Sequence, residues 1–424
     1  MTRAWAGALL MAAALPGAAA AQDWTAQTGA QARLLQDSNP GLVRTPAGGL
    51  TTQQLSARSE LTRRSEAGES GIEAELILSS GRGGGRGAGT AGTAGSDGRD
   101  TTALGRAALR QRLSLERHTW RGELSYRRDR PLEGRATAGA VALGRTEQAV
   151  GEAELTWSYL LNERLTAELS GTYTDTDTDT RPGSGPSAAA QNYAVGSGTA
   201  ALQYAWSETS SLSTSLQRTQ QRLGRGDTRI SIDSLRLGWT GALSDTASLN
   251  LSVAQSRTSQ EFTLRGFACP LPVQFCTGGI VPFVPTESSF TRSREQWQYS
   301  AGGSLRYSPV TNFSANATRA LTPGPLGVNR EDRWSLSCNR SWSERLRASL
   351  SLDESRTAPP AGTTAPARLR SLSLDASYSV QERWTLVLQA QARRYSSTAP
   401  GSGAGSRVFS ISLQYLDATV PGWL

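Results

Sequence analysis

Bulky apolar side chains recur at every second position of this chain, in stretches of about ten residues. That spacing confines it to β-strands with one apolar and one polar face. Trp120, Gly122, Leu124 and Tyr126 alternate with Arg121, Glu123, Ser125 and Arg127. Ala153, Leu155, Trp157 and Tyr159 alternate with Glu152, Glu154, Thr156 and Ser158. Leu346, Ala348, Leu350 and Leu352 alternate with Arg347, Ser349, Ser351 and Asp353, and Phe409, Ile411, Leu413 and Tyr415 with Ser410, Ser412 and Gln414. A helix would space its apolar residues three and four apart.

The pattern predicts about 18 strands: 26–36, 51–62, 71–80, 103–115, 119–129, 149–160, 165–175, 193–206, 211–221, 229–240, 247–258, 295–307, 312–320, 331–341, 345–356, 368–379, 384–395 and 407–416. Each is long enough for a tilted strand to cross a hydrocarbon layer, which takes roughly 9–11 residues. Ile230 and Ile232 sit out of phase with Leu235, Leu237 and Trp239, which predicts a bulge near Asp233 and Ser234.

Every second connection is short, as at 116–119, 161–164, 207–210, 242–246, 308–311, 342–344 and 380–383. The others run longer and are rich in Gly, Pro, Ser and Ala, as at 81–102, 176–192 and 262–294. Short periplasmic turns opposite long outer loops are the plan of an outer-membrane barrel. Trp120, Trp157, Tyr159, Tyr204, Trp206, Trp239, Tyr307, Phe313, Tyr378 and Trp384 lie near short turns, while Tyr126, Tyr173, Tyr193, Trp297, Tyr299 and Trp334 lie toward the opposite strand ends. Two aromatic belts a strand length apart match the two headgroup levels of a bilayer.

Only 37% of the 424 residues are hydrophobic, little for a chain of this length to fill a soluble core. A barrel needs less, because its apolar face meets lipid and its interior can be polar. A parallel β-solenoid would need a near-constant period, and the short turns recur irregularly. The net charge is +8, and all 44 basic residues are arginine. They are spread along the chain among 36 acids, not gathered on one face, which argues against a nucleic-acid partner.

Residues 1–21 read as a signal peptide: Arg3, an apolar stretch from Ala4 to Leu15, Pro16, and Ala19-Ala20-Ala21 before Gln22. Residues 22–424 then form one all-β domain, a transmembrane antiparallel up-and-down barrel. In the oxidising compartment this implies, Cys269 and Cys276 can pair within one loop, leaving Cys338 alone. That loop is rich in Phe, Pro and Val, so it either folds into the barrel mouth or forms a stapled external flap.

The turn Asp37-Ser38-Asn39-Pro40-Gly41-Leu42 after the first strand, followed by regular hairpins, resembles the outer-membrane β-barrel porin family and the barrels found beside exosortase and exopolysaccharide systems. The resemblance covers the mature chain in architecture and brings no catalytic residues with it. It implies a Gram-negative outer membrane, with its lipids and lipopolysaccharide and the barrel-assembly machinery as partners. The strand from Val408 to Leu416 resembles the assembly-signal strand of such proteins, although the chain runs on to Leu424 with Trp423 penultimate.

Enzymatic chemistry finds little support. A nucleophile needs an adjacent base, and His118, the one histidine, falls in a short turn and reads as a solvated turn residue. Asp175, Asp177 and Asp179 share one side of a strand, but Thr180 and Pro186 stand where an EF-hand loop needs Gly and Glu; a charged rim is the favoured reading. Gly83-Gly84-Gly85 lacks the following helix that a phosphate loop requires. No cofactor is expected.

By phase, Arg58, Arg110, Arg112, Arg121, Arg127, Arg236, Arg306 and Arg347 point inward, as do Glu60, Glu73, Glu75, Glu123, Glu152, Glu154, Glu168, Asp353 and Asp375. Nearly balanced signs predict a lumen without strong ion selectivity. The expected function is a passive pore for polar solutes or saccharide; a non-transporting surface barrel is the alternative.

Overall fold

The computed structural model describes residues 23–39, 49–83, 100–129, 147–179, 192–223, 228–268, 284–324, 327–358, 366–397 and 403–419. They form 18 strands and, among the described residues, no helix. The first six are β1 (Asp23–Asp37), β2 (Leu50–Ser65), β3 (Gly68–Gly83), β4 (Asp100–Ser114), β5 (His118–Asp129) and β6 (Glu147–Asn162). Then come β7 (Leu165–Asp179), β8 (Tyr193–Ala205), β9 (Ser210–Leu223), β10 (Thr228–Ser244), β11 (Ala247–Ala268) and β12 (Val284–Ser308). The last six are β13 (Thr311–Gly324), β14 (Gly327–Ser341), β15 (Leu346–Ala358), β16 (Ala367–Gln381), β17 (Trp384–Ser397) and β18 (Ala404–Thr419).

Each strand pairs antiparallel with its neighbours in sequence, and β1 pairs with β18 over Ala26–Asp37, so the sheet closes into a barrel. Closure leaves no free edge, which a sheet in hydrocarbon requires. One face of every strand but β4 carries exposed large apolar side chains, among them Leu55, Ile72, Leu155, Leu216, Leu237 and Leu350. Water would not tolerate such a continuous surface; acyl chains do. The alternation of the sequence is therefore the alternation between the lipid face and the interior.

The turn end is compact. At the β2–β3 turn, Ser65 Oγ donates to Gly68 O at 3.1 Å, and a methyl group on Gly68 would overlap the carbonyl oxygen of Arg112. Bulges sit beside four short turns, between Leu160 and Asn162, Ala242 and Ser244, Arg306 and Ser308, and Ser379 and Gln381. The bulge expected near Asp233 is absent: β10 pairs without a register shift from Thr228 to Ala242 with β11, and from Thr228 to Gly241 with β9. Ile230 and Ile232 instead face inward, where they are buried. β11 and β12 continue to Ala268 and Val284, so most of the expected 262–294 loop is an extension of that hairpin.

Candidate functional site

The inward face of β2–β6 carries a mixed-charge network. Glu73 is only 4% exposed and lies 3.2 Å from Arg58 Nε and 3.4 Å from Arg110 Nη2. Arg110 Nε also reaches Glu123 at 3.4 Å, Arg58 meets Glu60 at 2.9 Å, and Arg127 lies 3.7 Å from Glu152. These residues share the face opposite the exposed leucines, and apart from Glu73 and Glu60 they are themselves well exposed. Arg112 stands directly across from Arg121, and one row farther from the turns Glu123 stands across from Glu154. Like charges placed opposite each other cost sheet stability, and each pair has an opposite charge beside it in its row, Glu69 next to Arg112 and Arg110 next to Glu123. Both rows border a recess of about 300 Å³.

Toward the long-loop end the interior changes character. Leu223, Ile230, Ile232 and Val328 form one buried apolar cluster, with Tyr193 and Leu321 packed against it. β10 and β14 are four strands apart in the wall. A cluster that joins Ile230 of β10 to Val328 of β14 therefore spans the long-loop end of the barrel. The inward residues Gln221, Ser256, Thr258 and Gln298 are buried there as well. Tyr193, expected in the outer aromatic belt, packs on this cluster instead, because it has the opposite phase to Leu202 and Tyr204.

The seam between the first and last strands is clasped at the same end. Arg393 of β17 pairs with Asp37 of β1, and both side chains are buried. Ser406 Oγ donates to the same carboxylate, and Arg393 Nη2 donates to Ser406 Oγ at 3.2 Å. Asn39 N–H donates to Asp37 Oδ1 at 2.9 Å, and Asn39 Nδ2 donates to Gly405 O at 3.0 Å. The Asp-x-Asn part of the turn motif thus ties β1 to β17 and β18. Pro40 lies outside the described residues.

At the turn end, rings pack in the expected belt: Trp120 on Trp157 at 5.8 Å, Tyr307 on Phe313 at 6.4 Å and Trp384 on Tyr415 at 5.0 Å between centroids. His118 is part of this belt and not a solvated turn residue. It opens β5, is half-buried, accepts a hydrogen bond from Trp157 Nε1 at 3.2 Å and lies 4.6 Å from the Tyr159 ring. In the β16–β17 turn, the hydroxyl of Tyr415 and then the carboxylate of Asp417 raise the pKa of Arg383 above its ordinary value.

On the lipid face, charge begins abruptly where the apolar rows end at the long-loop side. Across β9–β12 the outward register row is Arg218, Asp233, Arg257 and Glu295, alternating in sign. Across β13–β16 the row Arg319, Asp332, Arg356, Arg368 is predominantly basic. Asp175 and Asp177 lie at the outward end of β7, and among the described residues no group of three His, Cys, Asp or Glu side chains comes together as a metal site. Cys338 is a free thiol in β14. The signal-peptide reading of residues 1–21, Cys269, Cys276 and most of the 81–102 loop lie outside the described residues.

No family model and no curated protein matches the chain. Solved structures do. Pseudomonas aeruginosa OccK2 (OpdF) aligns over 94% of this chain and 98% of its own, at 13% identity and a TM-score of 0.52. The fold is that of an outer-membrane porin-like barrel. Pseudomonas aeruginosa OccK9 (OpdG) aligns over 94% and 99% at 14% identity and a TM-score of 0.47, and Acinetobacter baumannii OccAB3 over 94% and 100% at 12% and 0.47. The closed sheet and lipid-facing wall of this porin-like barrel belong in a Gram-negative outer membrane.

Proposed function

We propose that the protein is a passive, non-catalytic channel for small polar solutes. The observation that carries this reading is the charged inner wall of β2–β6. There Arg110, Arg127, Glu123 and Glu152 keep 39–46% of their side-chain surface exposed inside a closed barrel, so that part of the lumen is wet. An 18-stranded barrel encloses enough space for an aqueous path unless something fills it. Successive rows, Glu69–Arg112–Arg121 and Arg110–Glu123–Glu154, present both signs to a passing solute. They suit zwitterions or hydroxyl-rich molecules such as saccharides, and favour neither cations nor anions strongly.

The apolar cluster in the mouth favours a second reading, a structural barrel serving a surface or exopolysaccharide assembly system without conducting. Recording from the purified full-length protein in planar bilayers separates the two. Discrete open-channel steps with weak ion selectivity are expected. A folded barrel that inserts and stays silent overturns the channel reading.

A further inference from the structure

The long-loop end of β13–β16 concentrates cations on the outside of the barrel. Outward apolar residues give way directly to charge on each strand: Trp334 to Asp332 and Arg330 in β14, Leu352 to Glu354 and Arg356 in β15, Leu372 to Arg370 and Arg368 in β16. Three guanidinium groups converge on the buried carboxylate of Glu354, from Arg368 at 2.6 Å, Arg356 at 2.8 Å and Arg370 at 2.9 Å. Asp332 takes Arg319 in a two-pronged pair, with Arg330 at 3.6 Å. Two carboxylates therefore hold five arginines, and among the described residues the cluster keeps a surplus of positive charge. Arg368 Nε is buried without a hydrogen-bond acceptor, while the side chains of Arg356 and Arg370 remain 60% and 49% exposed.

The level of this cluster is marked by aromatic rings. Trp334 stands opposite Glu354 in the register, and the Arg319 guanidinium lies 4.9 Å from the centre of the Tyr299 ring. Such rings sit at the headgroup boundary of a bilayer. Surplus guanidinium charge there, beside low-dielectric lipid, calls for an anion. A phosphate matches the planar donor fork and can accept from several arginines at once. The adjoining row across β9–β12 has no such surplus, because Arg218, Asp233, Arg257 and Glu295 alternate in sign.

We propose that the outward arginines of β13–β16 bind the phosphate groups of an outer-leaflet glycolipid of the lipid A class, fixing one face of the barrel against lipopolysaccharide. The proposal rests on the outer-membrane placement and on the long-loop end facing outward, and is independent of whether the lumen conducts.

The test uses the full-length barrel in neutral detergent, with native mass spectrometry against three probes: bis-phosphorylated lipid A, the same lipid without phosphates, and inorganic phosphate. Bis-phosphorylated lipid A is expected to bind, with at least tenfold weaker binding of the dephosphorylated lipid and no competition by millimolar inorganic phosphate. R356Q leaves Glu354 with two partners, and R368Q/R370Q removes those two. The double variant should lose at least tenfold in lipid A affinity and the single variant a smaller factor, while R218Q/R257Q on the adjoining β9–β12 stretch binds as the parent does. Heat-dependent gel mobility confirms that each variant is a folded barrel. Equal binding of both lipids, or undiminished binding by both folded variants of the cluster, overturns the assignment. Competition by inorganic phosphate as strong as lipid A overturns the glycolipid as the source. A folded barrel that fails these tests leaves the channel reading untouched, because conductance is measured separately.

Discussion

Asp37, near the end of the first strand, and Arg393, on the next-to-last, form a buried ion pair across the line where the barrel closes. With Ser406 and Asn39 they make a clasp that no single hairpin contains. The 12-residue β1–β18 pairing joins the two ends of the sheet, so this seam completes last in any assembly that follows chain order.

Removing one partner of that pair strands a buried charge. Asp37→Ala is expected to destabilise the barrel by about 3–5 kcal/mol, read as a lower temperature for the folded-to-unfolded gel shift. Asp37→Ala combined with Arg393→Leu should recover part of the loss. A single variant as stable as the parent would remove the clasp from the account.

The lipid face can be tested by contrast between neighbours. Leu350 points outward and Ser351 inward, paired with Cys338 and Ser337 on β14. Leu350→Arg should cost about 2–4 kcal/mol if it meets the membrane interior, whereas Ser351→Arg should cost much less. Urea titration in lipid vesicles measures both; equal costs would mean that the assigned faces are wrong.

The inner charges set the sign of ion preference. Arg110→Gln removes a cation that faces Glu73 and Glu123, so reversal potentials in a salt gradient should move toward cation preference. Glu123→Gln should move them the opposite way. Shifts in the same direction for both would contradict the proposed path along β2–β6.

The mouth cluster gives a steric prediction. Ile230→Ser with Ile232→Ser shortens two buried side chains of that cluster, and unitary conductance should rise while the heat-dependent gel shift is retained. An unchanged conductance would place the narrowest point elsewhere.

Much of this barrel was legible in the residues alone. The alternation around Trp120 and Leu350 marked the strands and told lipid face from interior, because strand phase is a local property: successive side chains must point to opposite sides of the sheet. Arg110 could be put on the same face as Glu123 and Glu73 for that reason, but not bonded to them, since contact depends on the register between β3, β4 and β5. Phase by itself also misled. Ile230 and Ile232 broke the apolar rhythm and suggested a bulge, yet the strand is regular and its inward face is apolar at the mouth. Tyr193 shared that fate.

Local pattern determined the number of strands, their approximate limits, the two aromatic levels and the face each side chain takes, because each depends on a few consecutive residues. Closure and register decided the rest. They brought Asp37 to Arg393, gathered Arg356, Arg368 and Arg370 around Glu354, and set Ile230 in one cluster with Val328. Residues this far apart meet only through the pairing of whole strands, and no window along the chain contains that information.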